Sequence, residues 1–265
     1  MTGAENKGTA LITGASSGLG ETFAFELAAA GHDLVLVARR RERLQAIADS
    51  LAARHSIKVT VISADLSESH APVDVMAELG AKGIHIDYLI NNAGIAGPDF
   101  IEERDWTVQR SYFELMMISY AAFCHAVIPA MLERGWGRII NVSSMAARIP
   151  RAGDCNYGPV KAYLIALSES LHATYRHRGV HITALCPGFT HTEFHEANGL
   201  TTMKNATPAF IWYGAEVVVR EGLRAVERGR PVYASGRLYR WVDPFLQSVW
   251  LRPLFRINWR GGTTH

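Results

Sequence analysis

A phenol, an ammonium and a hydroxyl are spaced in this chain as a proton-transfer set. Tyr157 and Lys161 stand four residues apart, so a helix carrying both points them the same way. Ser144 lies thirteen residues before Tyr157, just past an apolar run that reads as a strand. A free tyrosine has a pKa of about 10, too high for easy proton exchange near neutrality. An ammonium one helical turn away favours the tyrosinate and lowers that pKa. Tyr157 could then give a proton to a carbonyl oxygen, or take one from an alcohol. Ser144 could donate a hydrogen bond to the same oxygen and hold it. Tyrosine and lysine at this spacing also decorate ordinary amphipathic helices. The serine, and the turn described next, set this pair apart.

The turn is Thr13-Gly14-Ala15-Ser16-Ser17-Gly18-Leu19-Gly20, between a first apolar run and a helical stretch. Gly14 allows a tight turn, Gly18 lets backbone approach a pyrophosphate, and Gly20 permits close helix–sheet packing. The helix start then offers free N–H groups to the anion. A chain preferring NAD usually carries an acid at the end of its second strand, for the ribose 2′-hydroxyl. Here Ala38 is followed by Arg39, Arg40 and Arg41. A guanidinium pairs with a 2′-phosphate, so NADP(H) is the expected cofactor. Arg39, next to the strand end, is expected to be the well-placed arginine. Asp33 begins the strand and sits at the wrong end for the ribose.

With these residues in hand, the chain resembles the short-chain dehydrogenase/reductase family in its single-domain form. The likeness rests on the glycine turn, Asp65-Leu66, Asn91-Asn92-Ala93-Gly94, Ser144 with Tyr157 and Lys161, and Pro187-Gly188 with Thr192. These occur in family order over residues 8–195. The resemblance implies that Lys161 also bonds the nicotinamide ribose, and that oxidised nicotinamide helps Lys161 to acidify Tyr157. It places Asp65 and Leu66 near the adenine and Asn92, with Ala93 and Gly94, near the adjoining ribose. Thr190 and Thr192, just after Pro187 and Gly188, would flank the nicotinamide amide. One position departs. Where the family carries a proton-relay asparagine, thirteen residues before Pro129, this chain has Met116. A thioether cannot hold the relay water, so either protons take another route, through Ser119 or bulk water, or turnover falls.

Positioning such residues requires an alternation of strands and helices. Short runs rich in Val, Ile and Leu occur at residues 9–13, 34–38, 59–62, 88–91, 138–142 and 181–185. They lack polar alternation, as strands covered on both faces do. Helical stretches fall at 19–30, 41–54, 111–134, 157–177 and 213–228, and residues 231–234 read as a last strand. The expected fold is a single Rossmann-like α/β domain, a doubly wound parallel sheet with helices on both faces. Residues 192–208 would form a substrate lid and 236–265 a C-terminal tail.

Composition narrows the function. Hydrophobic residues make up 48% of the 265 and the net charge is +2, so there is no electrostatic case for nucleic acid as a partner. Three scattered cysteines, Cys124, Cys155 and Cys186, suit a reducing compartment and no metal site. There is no apolar leader and no run of about 18 apolar residues, so a cytoplasmic protein is expected. The candidate pocket walls are apolar: Ile95, Met145, Ala146, Phe189, Phe194, Leu200, Met203 and Phe210. They suggest a hydrophobic or aromatic ketone, aldehyde or secondary alcohol as substrate. The competing class is an NADP(H)-binding redox sensor or scaffold without turnover. Helices 111–134 and 157–177 carry apolar residues on more than one face, and the family pairs these helices, so a homodimer or homotetramer is expected. The tail holds Trp241, Trp250 and Trp259 among arginines. It suits either a membrane interface or packing on its own or a neighbouring subunit, with packing favoured.

Overall fold

The computed structural model describes residues 7–149, 151–191, 208, 211–248 and 250. Seven parallel strands form one sheet: β1 (Thr9–Thr13), β2 (Asp33–Ala38), β3 (Val59–Ser63), β4 (Tyr88–Asn91), β5 (Gly137–Val142), β6 (Val180–Cys186) and β9 (Val232–Ala234). Their order is β3-β2-β1-β4-β5-β6-β9. Residues Ala10, Leu11 and Ile12 of β1 pair with Leu34, Val35 and Leu36 on one side and with Tyr88, Leu89 and Ile90 on the other. The strand order reverses between β1 and β4. In such a sheet the ligand crevice opens at the carboxyl ends of those two strands, where the glycine turn and Asn92 lie.

Alternate residues of each strand feed two separate cores. Ile12, Leu34 and Leu36 meet Phe23 and Leu27 of α1 (Gly18–Ala29), Leu44 of α2 (Arg41–His55) and Val219 of α7 (Ala215–Glu227). Leu11, Val35 and Leu89 meet Val75 and Leu79 of α3 (Ala71–Ala81) and Phe123 and Met131 of α5 (Ser119–Arg134). Both faces are therefore dry, and the strands read as unbroken apolar runs. Phe123 is fully buried; its loss to alanine costs about 3–5 kcal/mol at such a site.

Several elements differ from the sequence expectation. Helix α3 was not expected. The helix expected to begin at 111 begins at Trp106, where Asp105 accepts the Thr107 N–H at 2.8 Å. Its first part, α4 (Trp106–Phe113), joins α5 through a π-turn at Glu114–Ile118. The joined helix of 29 residues is long and apolar enough, by length and composition, to cross a membrane. Its apolar character serves the sheet-facing core on one side. Helix α6 (Tyr157–Tyr175) follows a 3-10 turn at Met145–Arg148. The helix expected from 213 starts two residues later, because Tyr213–Gly214 forms a short strand, β8, paired with β7 (Thr190–His191). The expected lid, apart from Pro208, and the wall residues Phe194, Leu200, Met203 and Phe210 fall outside the described residues.

The tail also differs. Residues Arg237–Gln247 form helix α8 despite Pro244. Glu221 of α7 starts it by accepting the Gly236 N–H at 2.9 Å and the Arg240 guanidinium at 2.8 Å. Tyr239, Val242 and Leu246 pack on Ala184, Cys186 and Ala234, and Arg148 meets Asp243 at 3.1 Å. The inner side of α8 thus packs on its own subunit.

Candidate active site

A cleft of about 440 Å³ opens at the carboxyl ends of the strands, a size suited to cofactors and small ligands. Its first wall is the glycine turn. Gly14 has a left-handed φ of 66°, and a Cβ there would lie 2.8 Å from the Cα of Ala93. No larger residue fits this turn. At Gly20 a Cβ would overlap the Gly14 carbonyl. Ser17 stands at the cap of α1 but makes no side-chain cap bond to the helix. The first N–H groups of α1 are therefore left to an anion.

The Ser17 hydroxyl is engaged elsewhere. Arg40 donates to Ser17 Oγ at 2.8 Å and to Ser16 Oγ at 2.9 Å. The guanidinium lies across the mouth of the turn. Arg39, expected to be the sole well-placed arginine, instead points to Asp65, with nitrogen and oxygen 3.8 Å apart and both side chains substantially exposed. Both arginines line the cleft, so two cations flank the place where a 2′-phosphate would sit. Burial works against ionised Asp65, but hydrogen bonds from Ser67 and the Arg39 charge outweigh it and hold the carboxyl below its usual range.

Thr13 is a positioning residue the sequence reading did not single out. Its hydroxyl accepts the Asn92 N–H at 2.9 Å and the Ala93 N–H at 3.1 Å. In return Asn92 Nδ2 donates to the Thr13 carbonyl at 3.0 Å. These bonds lock the ends of β1 and β4 together. The next residues meet Met116, fully buried in the π-turn, whose sulfur accepts the Ile95 N–H at 3.3 Å. Met116 thus holds the loop after Gly94. Ser119, named above as an alternative route, donates its hydroxyl to Leu115 O of its own helix at 2.7 Å.

The proposed proton-transfer set comes together across two elements. Ser144 caps the 3-10 turn, its oxygen accepting the Ala146 N–H at 3.1 Å, and it hydrogen-bonds the Tyr157 phenol. The start of α6 is held by Asp154, which accepts the Gly158 N–H at 3.0 Å. Ser143 donates to the Lys161 carbonyl at 2.7 Å, tying the strand end to the helix. The Lys161 ammonium donates to Val142 O at 2.8 Å and sits 5.7 Å from the Tyr157 ring centroid.

Lys161 is buried and Tyr157 half-buried, and loss of solvent rules their ionisation. It pushes the Tyr157 phenol up to about 12, opposed by the Ser144 hydrogen bond. It pulls Lys161 down to about 7. In the protein without cofactor the charge-disfavouring effect of burial is the larger one for both groups.

The last wall follows β6. Pro187 and Thr190 line the cleft, while Gly188 turns away beneath Tyr239, whose ring a Cβ at 188 would overlap. The Tyr239 hydroxyl accepts the Phe189 N–H at 3.2 Å and donates to Ile211 O at 3.0 Å.

Of the expected residues, Gly14, Ser16, Ser17, Gly18 and Leu19 line the cleft, with Leu66, Asn92, Ala93, Gly94, Ser144, Tyr157 and Lys161 further along it. Ala15 is buried behind the turn, Gly20 packs inward, and Thr192 lies outside the described residues. Leu115, Val142 and Ser143 line the cleft without having been anticipated.

Known proteins are similar to this chain in sequence and fold. A family model described as short chain dehydrogenase matches residues 8–202. Sulfoacetaldehyde reductase of Chromohalobacter salexigens is 35% identical over 185 residues, 69% of this chain and 72% of that protein. A short-chain dehydrogenase from Sphingobium yanoikuyae, solved in complex with NADPH, superposes with a TM-score of 0.78 at 31% identity, covering 88% of this chain and 91% of that one. A bulky-bulky ketone specific alcohol dehydrogenase from Comamonas testosteroni gives 0.77 at 28% identity, covering 90% and 91%. The glycine turn, the switch-point cleft and the matched segment lead to one assignment: the chain belongs to the short-chain dehydrogenase family.

Proposed function

We propose that the protein is an NADP(H)-dependent oxidoreductase that interconverts a carbonyl and a secondary alcohol or aldehyde-derived alcohol. The observation that carries the cofactor choice is Arg40, held across the glycine turn by Ser16 and Ser17 with Arg39 beside it. A guanidinium pair favours a 2′-phosphate over a free hydroxyl. When bound, the cofactor supplies or accepts the hydride. The uncapped start of α1 would receive its pyrophosphate, and Asn92 and Lys161 its riboses. Ser144 would hold the substrate oxygen, and Tyr157 Oη would transfer the proton to or from it. A Lys161 ammonium turned from Val142 O toward the ribose would leave its charge near the phenol and oppose the burial that now keeps Tyr157 protonated.

Ile95, Leu115 and Met116 give the inner cleft an apolar lining, which supports a hydrophobic or aromatic ketone or aldehyde. The Comamonas relative, specific for bulky-bulky ketones, points the same way. NADPH consumption across ketones and aldehydes of graded bulk tests the reading; turnover limited to small anionic aldehydes contradicts it. A second reading, a cofactor-binding sensor without turnover, draws on Met116 and on Lys161 held by Val142 O. NADPH binding with no consumption on any substrate would favour it.

A further inference from the structure

We propose that the outer face of α8 docks the protein on an anionic lipid surface. The helix is apolar on two sides. Tyr239, Val242 and Leu246 already face the core. On the outward-facing side Leu238, Trp241 and Phe245 recur at helical spacing and are 38%, 78% and 47% exposed. Trp250, just beyond the helix, is 88% exposed. Single exposed apolar residues are ordinary, but a stripe of aromatics on one helix marks a contact surface.

Charge selects the occupant. The one acidic residue of α8, Asp243, is taken by Arg148 at 3.1 Å, and Arg240 by Glu221 at 2.8 Å. Arg237 at the helix start is exposed. Residues 244–265 contain no Asp or Glu but carry Arg252, Arg256 and Arg260 among Leu251, Leu254, Phe255, Ile257 and Trp259. Tryptophan and arginine together suit the headgroup region of a membrane, where the ring is half-apolar and the cation meets lipid phosphate. A second copy of the chain fits less well, since a two-fold contact would set the exposed Arg237 faces together while the one carboxylate of α8, Asp243, is already paired with Arg148. The face adjoins the cleft, because Tyr239 of the same helix seats Gly188 between the cleft residues Pro187 and Thr190. The proposal needs no enzymatic turnover.

Flotation of the full chain with phosphatidylcholine vesicles, with and without phosphatidylserine, tests it. Binding is expected to rise at least tenfold with phosphatidylserine, to weaken in high salt, and to fall at least tenfold in the Trp241→Ser/Phe245→Ser double variant. Unchanged melting and NADPH affinity would show that the variant is folded. If it is not, quenching of wild-type tryptophan by brominated-chain lipid, reduced in Trp241→Phe, reads the same contact. Absent flotation with either vesicle, undiminished flotation of the variant, or an oligomer that the double variant dissociates while vesicles bind neither protein, would overturn the proposal.

Discussion

Lys161 Nζ donates a hydrogen bond to the carbonyl of Val142 at 2.8 Å, and burial lowers its pKa from 10.5 to about 7. Between those values the unfolded chain binds a proton that the folded chain does not. The group therefore destabilises the fold as pH falls through that window, and the cost is complete below about pH 7. Lys161→Met removes it. The stability of the variant relative to wild type, both without cofactor, should be greatest at pH 6 and should shrink toward pH 10 by roughly 4 kcal/mol. Denaturant melts at pH 6, 8 and 10 check this. A difference that stays constant with pH contradicts a buried, titrating ammonium.

Arg40 is expected to set cofactor preference. Arg40→Ala removes the guanidinium that bridges Ser16 and Ser17, and a charge-assisted contact to phosphate with it. NADPH affinity should fall by about 10–100-fold, with NADH affinity changed by less than threefold. Fluorescence titration with both nucleotides decides. Equal losses for the two would mean that Arg40 supports the turn without reading the 2′-phosphate.

Tyr239 and Gly188 should behave as a pair. Gly188→Ala places a methyl into the Tyr239 ring and should destabilise the protein by a few kcal/mol, on the order of 2–4, as overpacked sites do. In a Tyr239→Ala background the same change should cost much less, the signature of direct contact. Separately, Tyr239→Phe leaves the Phe189 N–H and Ile211 O without their shared hydroxyl. Because those bonds sit beside Pro187 and Thr190, it should raise the KM for cofactor several-fold with kcat nearly unchanged.

Met116 accepts the Ile95 N–H through sulfur. Met116→Leu keeps the volume but withdraws that acceptor, and should cost about 1 kcal/mol of stability. Chemical denaturation measures it. A neutral result would assign Met116 to packing alone.

How much of this was legible depended on whether local sequence or distant contact decides the outcome. The sheet was readable because its strands are dry on both faces; Leu34–Val37 are all buried and all apolar. The glycine turn was readable because sterics at Gly14 admit no other residue. Helix α8 was not, since Pro244 speaks against it locally and the supports that form it, Glu221 and the seat on Gly188, come from elsewhere in the chain. Arg39 and Arg40 are adjacent, so sequence position could not tell which guanidinium folds back over the turn. The ionisation of Tyr157 and Lys161 in the cofactor-free protein was not legible for a related reason. Their spacing announces a charge interaction, whereas the dominant effect is burial by residues such as Tyr120 and Val142, far away in sequence.

In the proposed reaction Tyr157 Oη carries the proton, and single-turnover NADPH oxidation with a ketone that wild type reduces measures this most directly. Tyr157→Phe should slow that step by about 10²–10⁴-fold while the NADPH dissociation constant stays within threefold of wild type. A variant that still oxidises NADPH at close to the wild-type rate would contradict the account.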